Sequence, residues 1–93
     1  MNVLVLDGNE ARARSVMDAL AHEGCLVGWC PTGTEGLRRC STTSYQACLI
    51  STRLPDMLGV DMVQRLRVMS PQTLSLVLAE PGDALTTAEA KQL

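Results

Sequence analysis

Phenylalanine is absent and the aromatic set is Trp29 and Tyr45 alone, so no row of rings is available to stack successive bases of a nucleic acid. Basic residues are in no excess: Lys and Arg number 8 against 10 Asp and Glu, for a formal net charge of -2. That balance speaks against a general polyanion binder or a membrane-surface protein. No apolar run approaches the ~18 residues of a membrane span, and the start "MNVLVLDGNE" carries neither the basic region nor the cleavage site of a signal peptide. A cytoplasmic chain is expected. Phosphate-binding glycine patterns are missing too, since "LDGNEA" lacks both GxGxxG and the lysine of a P-loop.

CxxC pairs are also lacking. Cys25, Cys30, Cys40 and Cys48 have the spacing of neither a metal cluster nor a disulfide framework, and three of them fall in apolar or strand-like stretches, where cysteine packs as a small hydrophobe. No metal and no cofactor is expected. With 93 residues the chain makes one domain, residues 1–93, whose core of Leu, Val, Met, Ala and Cys is small.

What is present is an alternation of apolar runs and helical stripes. "NVLVLD" (2–7) reads as a strand, and residues 9–23 place Ala13, Val16, Met17, Leu20 and Ala21 on one helical face, with Asn9 as N-cap and Gly24 as a left-handed stop. "CLVGWC" is a second strand; residues 33–41 make a short helix with Leu37 and Cys40 inward, weakened by Gly36. "YQACLIS" is the third strand, and after the loop "TRLPDML" the stretch "GVDMVQRLRVMS" carries a stripe of Met62, Val63, Leu66 and Met69. "TLSLVLA" is a fourth strand, and "ALTTAEAKQL" a last helix.

Short, near-continuous Leu/Val/Ile strands between helices predict an α/β fold, a doubly wound parallel sheet covered on both faces by right-handed crossovers. Leu4, Leu6, Leu49, Ile50, Leu76 and Leu78 are its expected core residues. Ligands of such sheets bind beyond the carboxyl ends of the strands, where the strand order reverses. With the second and third strands flanking the first, that crevice is lined by Asp7, Ser51, Ala79 and Glu80.

At those positions the chain resembles a response-regulator receiver domain. "VLVLDGNEARARSVMDALAHEG" is similar to the family's first strand and helix, and "YQACLISTRLPDMLGVDMVQRLR" to its phosphorylation-site region, with Leu54-Pro55, Asp56 and Gly59 at the family's spacing. The resemblance implies a flavodoxin-like three-layer sandwich. It also implies a fifth strand and a last helix, so the chain reads as a receiver short of both. Family members accept a phosphoryl group on an aspartate ending the third strand. Two acidic residues after the first strand hold Mg²⁺, a Thr or Ser ends the fourth strand, and a Lys follows the fifth.

Carried over residue by residue, the acceptor position is Ser51, the acidic pair is Asp7 and Gly8, and the hydroxyl position is Ala79. A serine cannot form the acyl phosphate, and a single Asp is a poor Mg²⁺ site. The resemblance therefore implies an atypical, pseudo-receiver type of domain: no enzyme, but a phosphorylation-independent interaction or dimerisation module in signal transduction, of the kind that controls transcription. The alternative is a weakly active phosphoacceptor in which Asp7 or Asp56 takes the phosphoryl group. A protein partner or a second copy is expected, with a fused or separate output domain, and no direct contact with nucleic acid or membrane. The expected interaction edge is Leu74, Leu76, Val77 and Leu85; Arg53 and Asp56 project near the crevice, with Arg53 placed to pair with Asp7 or Glu80.

A hydrolase built on Ser51 needs a base within hydrogen-bond reach. The one histidine, His22, lies at the far end of the first helix, ~20 Å from Asp7 at ~1.5 Å per residue. Arg38, Arg39, Arg65 and Arg67 have acidic neighbours and read as solvated helix faces.

Overall fold

The computed structural model describes residues 1–78. Seven elements follow one another: β1 (Asn2–Leu6), α1 (Glu10–His22), β2 (Leu26–Cys30), α2 (Gly33–Thr42), β3 (Ala47–Ser51), α3 (Gly59–Met69) and β4 (Leu74–Leu78). The strands form one parallel sheet in the order β2-β1-β3-β4. This is the doubly wound, flavodoxin-like arrangement that alternating strands and helices predict. α1 covers one face, and α2 and α3 cover the other, as right-handed crossovers require.

Local chemistry sets the boundaries. Asn9 caps α1 by accepting the Arg12 N–H at 3.0 Å. The helix closes in a Schellman motif, in which Gly24 at φ +88° donates to Ala21 and Cys25 donates to Leu20. Gly36, a weak helix former, has a packing role: a Cβ there would come within 2.5 Å of Leu6 Cδ2. The glycine lets α2 lie close on β1.

The main core lies between the sheet and α2/α3: Leu4, Leu6, Cys48, Ile50 and Val77 from the strands meet Met62, Val63 and Leu66 of α3, with Leu37 and Cys40 of α2 alongside. Val3, Val5 and Ala13 are buried on the α1 face. Other α1 stripe residues are less covered than the helical pattern suggests; Val16, Met17 and Leu20 are half-buried and Ala21 is exposed. Met69, placed on the α3 stripe by the sequence, is 40% exposed because the helix ends there and Ser70 turns the chain back.

β4 corrects the sequence expectation. Its burial alternates, with Ser75 and Val77 inward and Leu74, Leu76 and Leu78 exposed. The register explains the alternation: Val77 pairs with Ile50, on the α3 face, whereas Leu76 pairs with half-buried Leu49, on the α1 face. Leu76 and Leu78 are therefore not core residues, and Val77 belongs to the core instead of to an interaction edge. Ala79, Glu80, Leu85 and the expected last helix lie outside the described residues. Among the described residues, no helix is long and apolar enough to cross a membrane.

Candidate functional site

The carboxyl ends of β1 and β3 bring Asp7 and Ser51 to one edge of the sheet, both nearly buried at 6% and 4% exposure. The order reversal at β1 opens the crevice between them, as the topology dictates.

Asp7 is fully engaged. Arg12 approaches side-on, with Nε 2.6 Å from Oδ2 and Nη2 2.7 Å from Oδ1, and the Asn9 N–H donates to Oδ1 at 2.9 Å. The Asp7 carbonyl accepts from Trp29 Nε1 at 2.8 Å. A cation in the first turn of a helix opposes the helix dipole; here the cost is offset by a bidentate charge-assisted pair on a nearly buried carboxylate. Sequence reasoning missed Arg12. The signal was available: an N-cap at Asn9 puts Arg12 at the third helical position, from which side chains lean back toward the helix N-terminus and the end of the preceding strand.

Arg53, by contrast, is exposed, and Arg12 holds the place beside Asp7 that the sequence assigned to it. Arg53 acts through its backbone: its carbonyl accepts the Ser51 hydroxyl at 3.2 Å, and the residue bridges to Leu58 across the loop. Leu54 N–H donates to Met57 at 2.8 Å and Gly59 N–H to Thr52 at 2.8 Å, closing the loop at its base. Thr52 Oγ1 donates to the Leu78 carbonyl at 3.0 Å, fastening the loop to β4.

Gly8 touches the loop's proline: a Cβ at position 8 would stand 3.0 Å from both Pro55 Cδ and Cγ. A side chain there requires that ring to give by a few tenths of an ångström. Gly59 is tighter still, since its Cβ would meet the Ser51 carbonyl oxygen at 2.3 Å. The glycine is thus what permits α3 to start against the end of β3.

Asp56 is exposed on the loop, but its carboxylate is not available. Its Oδ1 accepts from Gly33 N at 2.9 Å, and its Oδ2 from Thr34 N at 2.9 Å and Thr34 Oγ1 at 2.6 Å. Together with Thr32 Oγ1, which accepts from Glu35 N at 3.2 Å, it satisfies the open N–H groups of α2. Bonds from the Thr34 hydroxyl and the Thr34 and Gly33 N–H groups hold the Asp56 pKa down at about 2.

A depressed folded-state pKa stabilises the fold above the unfolded value of 3.8 and loses that contribution as pH falls toward about 2. Asp56→Asn is expected to lower the urea midpoint at neutral pH, with the gap to wild type closing through that acidic window. A gap that stays constant across it would remove the charge from this account.

These residues do not fit a magnesium ion. Both Asp7 oxygens face the Arg12 guanidinium, a glycine follows where a second acid is needed, and Ser51 offers a hydroxyl. Among the described residues, no group of three or more His, Cys, Asp or Glu could hold a metal ion.

Comparison with known proteins accounts for the architecture. A family model described as "Response regulator receiver domain" matches residues 3–93. The cell cycle transcriptional regulator CtrA of Caulobacter vibrioides is 32% identical over 79 residues, 85% of this chain and 34% of that protein. The uncharacterized transcriptional regulatory protein YkoG of Bacillus subtilis is 31% identical over 77 residues, 83% of this chain and 34% of its own length. The chain thus spans about a third of the length of these curated relatives. Among solved structures, a CheY-like receiver domain from Methylobacillus flagellatus superposes with TM-score 0.86 at 24% identity, covering 98% of this chain and 79% of that one. The beryllofluoride-activated NtrC4 receiver domain dimer gives 0.87 at 23% identity, covering 98% and 75%.

Proposed function

Because the chain belongs to the response-regulator receiver family, we propose that it is a receiver that signals without being phosphorylated, by binding a protein partner or a second copy of itself. Receiver domains are signalling modules of two-component systems, and the related full-length proteins are transcriptional regulators. The output this chain serves is accordingly control of transcription, with residues 1–93 as the receiver unit.

The observation that carries this reading is the Asp7–Arg12 pair. A guanidinium bonded through two nitrogens to Asp7, the member of the acidic pair that this chain keeps, supplies internally the positive charge that phosphoryl chemistry would take from a metal. Ser51, at the acceptor position, gives its hydroxyl to the loop through Arg53. The alternative acceptors are no better placed, because the Asp7 carboxylate is paired and the Asp56 carboxylate caps α2.

Incubation with acetyl phosphate and Mg²⁺ is expected to leave the intact mass of wild type unchanged, and that of Ser51→Asp as well. Gly8 sits against Pro55 and Arg12 retains Asp7 in both proteins. A phosphoryl adduct on the wild type, or robust labelling of the single mutant, would overturn the reading.

The partner surface in this reading is the exposed apolar row of β4, Leu74 at 58% and Leu76 at 37%, with Leu85 outside the described residues. The NtrC4 receiver, a structural neighbour, was solved as a dimer. Leu76→Lys is expected to abolish concentration-dependent association seen by light scattering. Wild type that stays monomeric at high concentration would discard self-association and leave a different protein as the partner.

A further inference from the structure

Cys40 on α2 and Cys48 on β3 are used by nothing in the proposed signalling role. Their Sγ atoms lie 3.9 Å apart in a shared S–H···S contact, and both are free thiols. A disulfide needs ~2.05 Å between sulfurs, so one sulfur must advance by about 2 Å. Cys48 is fixed, with 0% exposure, on a strand paired on both sides, opposite Leu4 and Ser75. Cys40 is half-buried two residues before α2 ends at Thr42. That last helical turn leads into the short connection 43–46 and can yield where β3 cannot.

We propose that Cys40 and Cys48 are an oxidation site: a dithiol that peroxide converts into an intramolecular disulfide joining α2 to β3. Exposure assigns the order of events. Cys40 meets the oxidant, and Cys48, out of reach of solvent, resolves. The contact between them supports this division, because it holds the Cys40 thiol low and pushes the Cys48 thiol up, an effect that burial of Cys48 reinforces.

In the first step the Cys40 thiolate attacks one oxygen of hydrogen peroxide. The S–O bond forms, the O–O bond breaks, and the hydroxide that leaves takes up, through solvent, the proton the Cys40 thiol gave up on ionising, so that it ends as water. The product is Cys40 sulfenic acid, oxidised by two electrons as the peroxide is reduced. In the second step the Cys48 sulfur attacks Cys40 Sγ, and its proton leaves with the displaced hydroxyl as water. Two thiols and one peroxide thus give one disulfide and two waters.

The other thiols serve as internal controls. Cys30 is 1% exposed and burial pushes its thiol up, which makes it a poor first target. Cys25 is half-buried just before β2, the edge strand that β1 separates from β3.

The 93-residue chain is treated with hydrogen peroxide, and its free thiols are followed by alkylation and non-reducing peptide mapping. Expected are loss of the Cys40 and Cys48 thiols together, at least ~tenfold faster than Cys25, a cross-linked Cys40–Cys48 peptide, and full recovery with dithiothreitol. Cys40→Ser should form no internal disulfide. Cys48→Ala should accumulate a dimedone-reactive sulfenic acid on Cys40. Preferential oxidation of Cys25, a bridge between any other pair, or a bridge that persists in Cys40→Ser would overturn the proposal.

Discussion

Truncating Leu6 to alanine is expected to cost about 2–5 kcal/mol of stability, whereas the same truncation at Leu76 should cost about 1 kcal/mol or less. The two leucines look alike in the sequence: each sits inside an apolar strand of a parallel sheet. Leu6 is wholly buried, faces α2 and α3, and is overlaid by Gly36, so its removal leaves a cavity that the close helix–strand contact cannot easily collapse. Leu76 points to the other face and is 37% exposed. A domain of this size shifts its melting temperature by roughly 4–8 °C per kcal/mol, so Leu6→Ala should lose at least about 8 °C and, mid-range, about 20 °C, and Leu76→Ala no more than about 4–8 °C. Equal midpoints would mean that β4 packs on the opposite face from the one described.

That contrast also marks how far the sequence can be read. Strand–helix alternation and the caps at Asn9 and Gly24 follow from hydrophobic periodicity and capping chemistry, and, once β2 and β3 flank β1, the meeting of Asp7 with Ser51 follows from topology, because the underlying forces act locally or over whole elements. Burial along β4 does not follow. "LSLVL" is apolar enough for a strand covered on both faces, yet side-chain direction depends on register, and the register turns Ser75 and Val77 inward. The Gly59 spacing was legible as a family feature, but its physical basis, a backbone approach to the Ser51 carbonyl, appears only in three dimensions.

The site's charges were harder to read than its positions, for a related reason. Asp56 is separated by more than twenty residues from the Gly33 and Thr34 N–H groups it caps, a pairing that depends on how the loop after β3 lies over the start of α2. Arg53 and Arg12 both stand within reach of Asp7 on sequence grounds. Only the bend between β1 and α1 decides that Arg12 takes it, leaving Arg53 in solvent.

Arg12→Ala is therefore expected to affect the domain more than any other change of surface charge. It strips two charge-assisted hydrogen bonds from a carboxylate that is 6% exposed. Loss of a partner from a fully buried pair costs about 3–5 kcal/mol; because the Arg12 side chain is itself 38% exposed, water can replace part of the contact and about 1–3 kcal/mol is expected. Arg14→Ala is the control. Arg14 pairs with Glu10 at 3.1 Å one helical turn away, with both side chains more than 60% exposed, and such a pair contributes only about 0.3–0.5 kcal/mol. Trp29, the single tryptophan, is hydrogen-bonded to the Asp7 carbonyl, so its emission should shift in Arg12→Ala and stay constant in Arg14→Ala. Magnesium should leave the wild-type midpoint and emission unchanged, since the guanidinium already occupies the carboxylate. If Arg12→Ala unfolds at the same urea concentration as Arg14→Ala, or if sub-millimolar Mg²⁺ moves the wild-type Trp29 signal, the internal cation is not what holds this crevice.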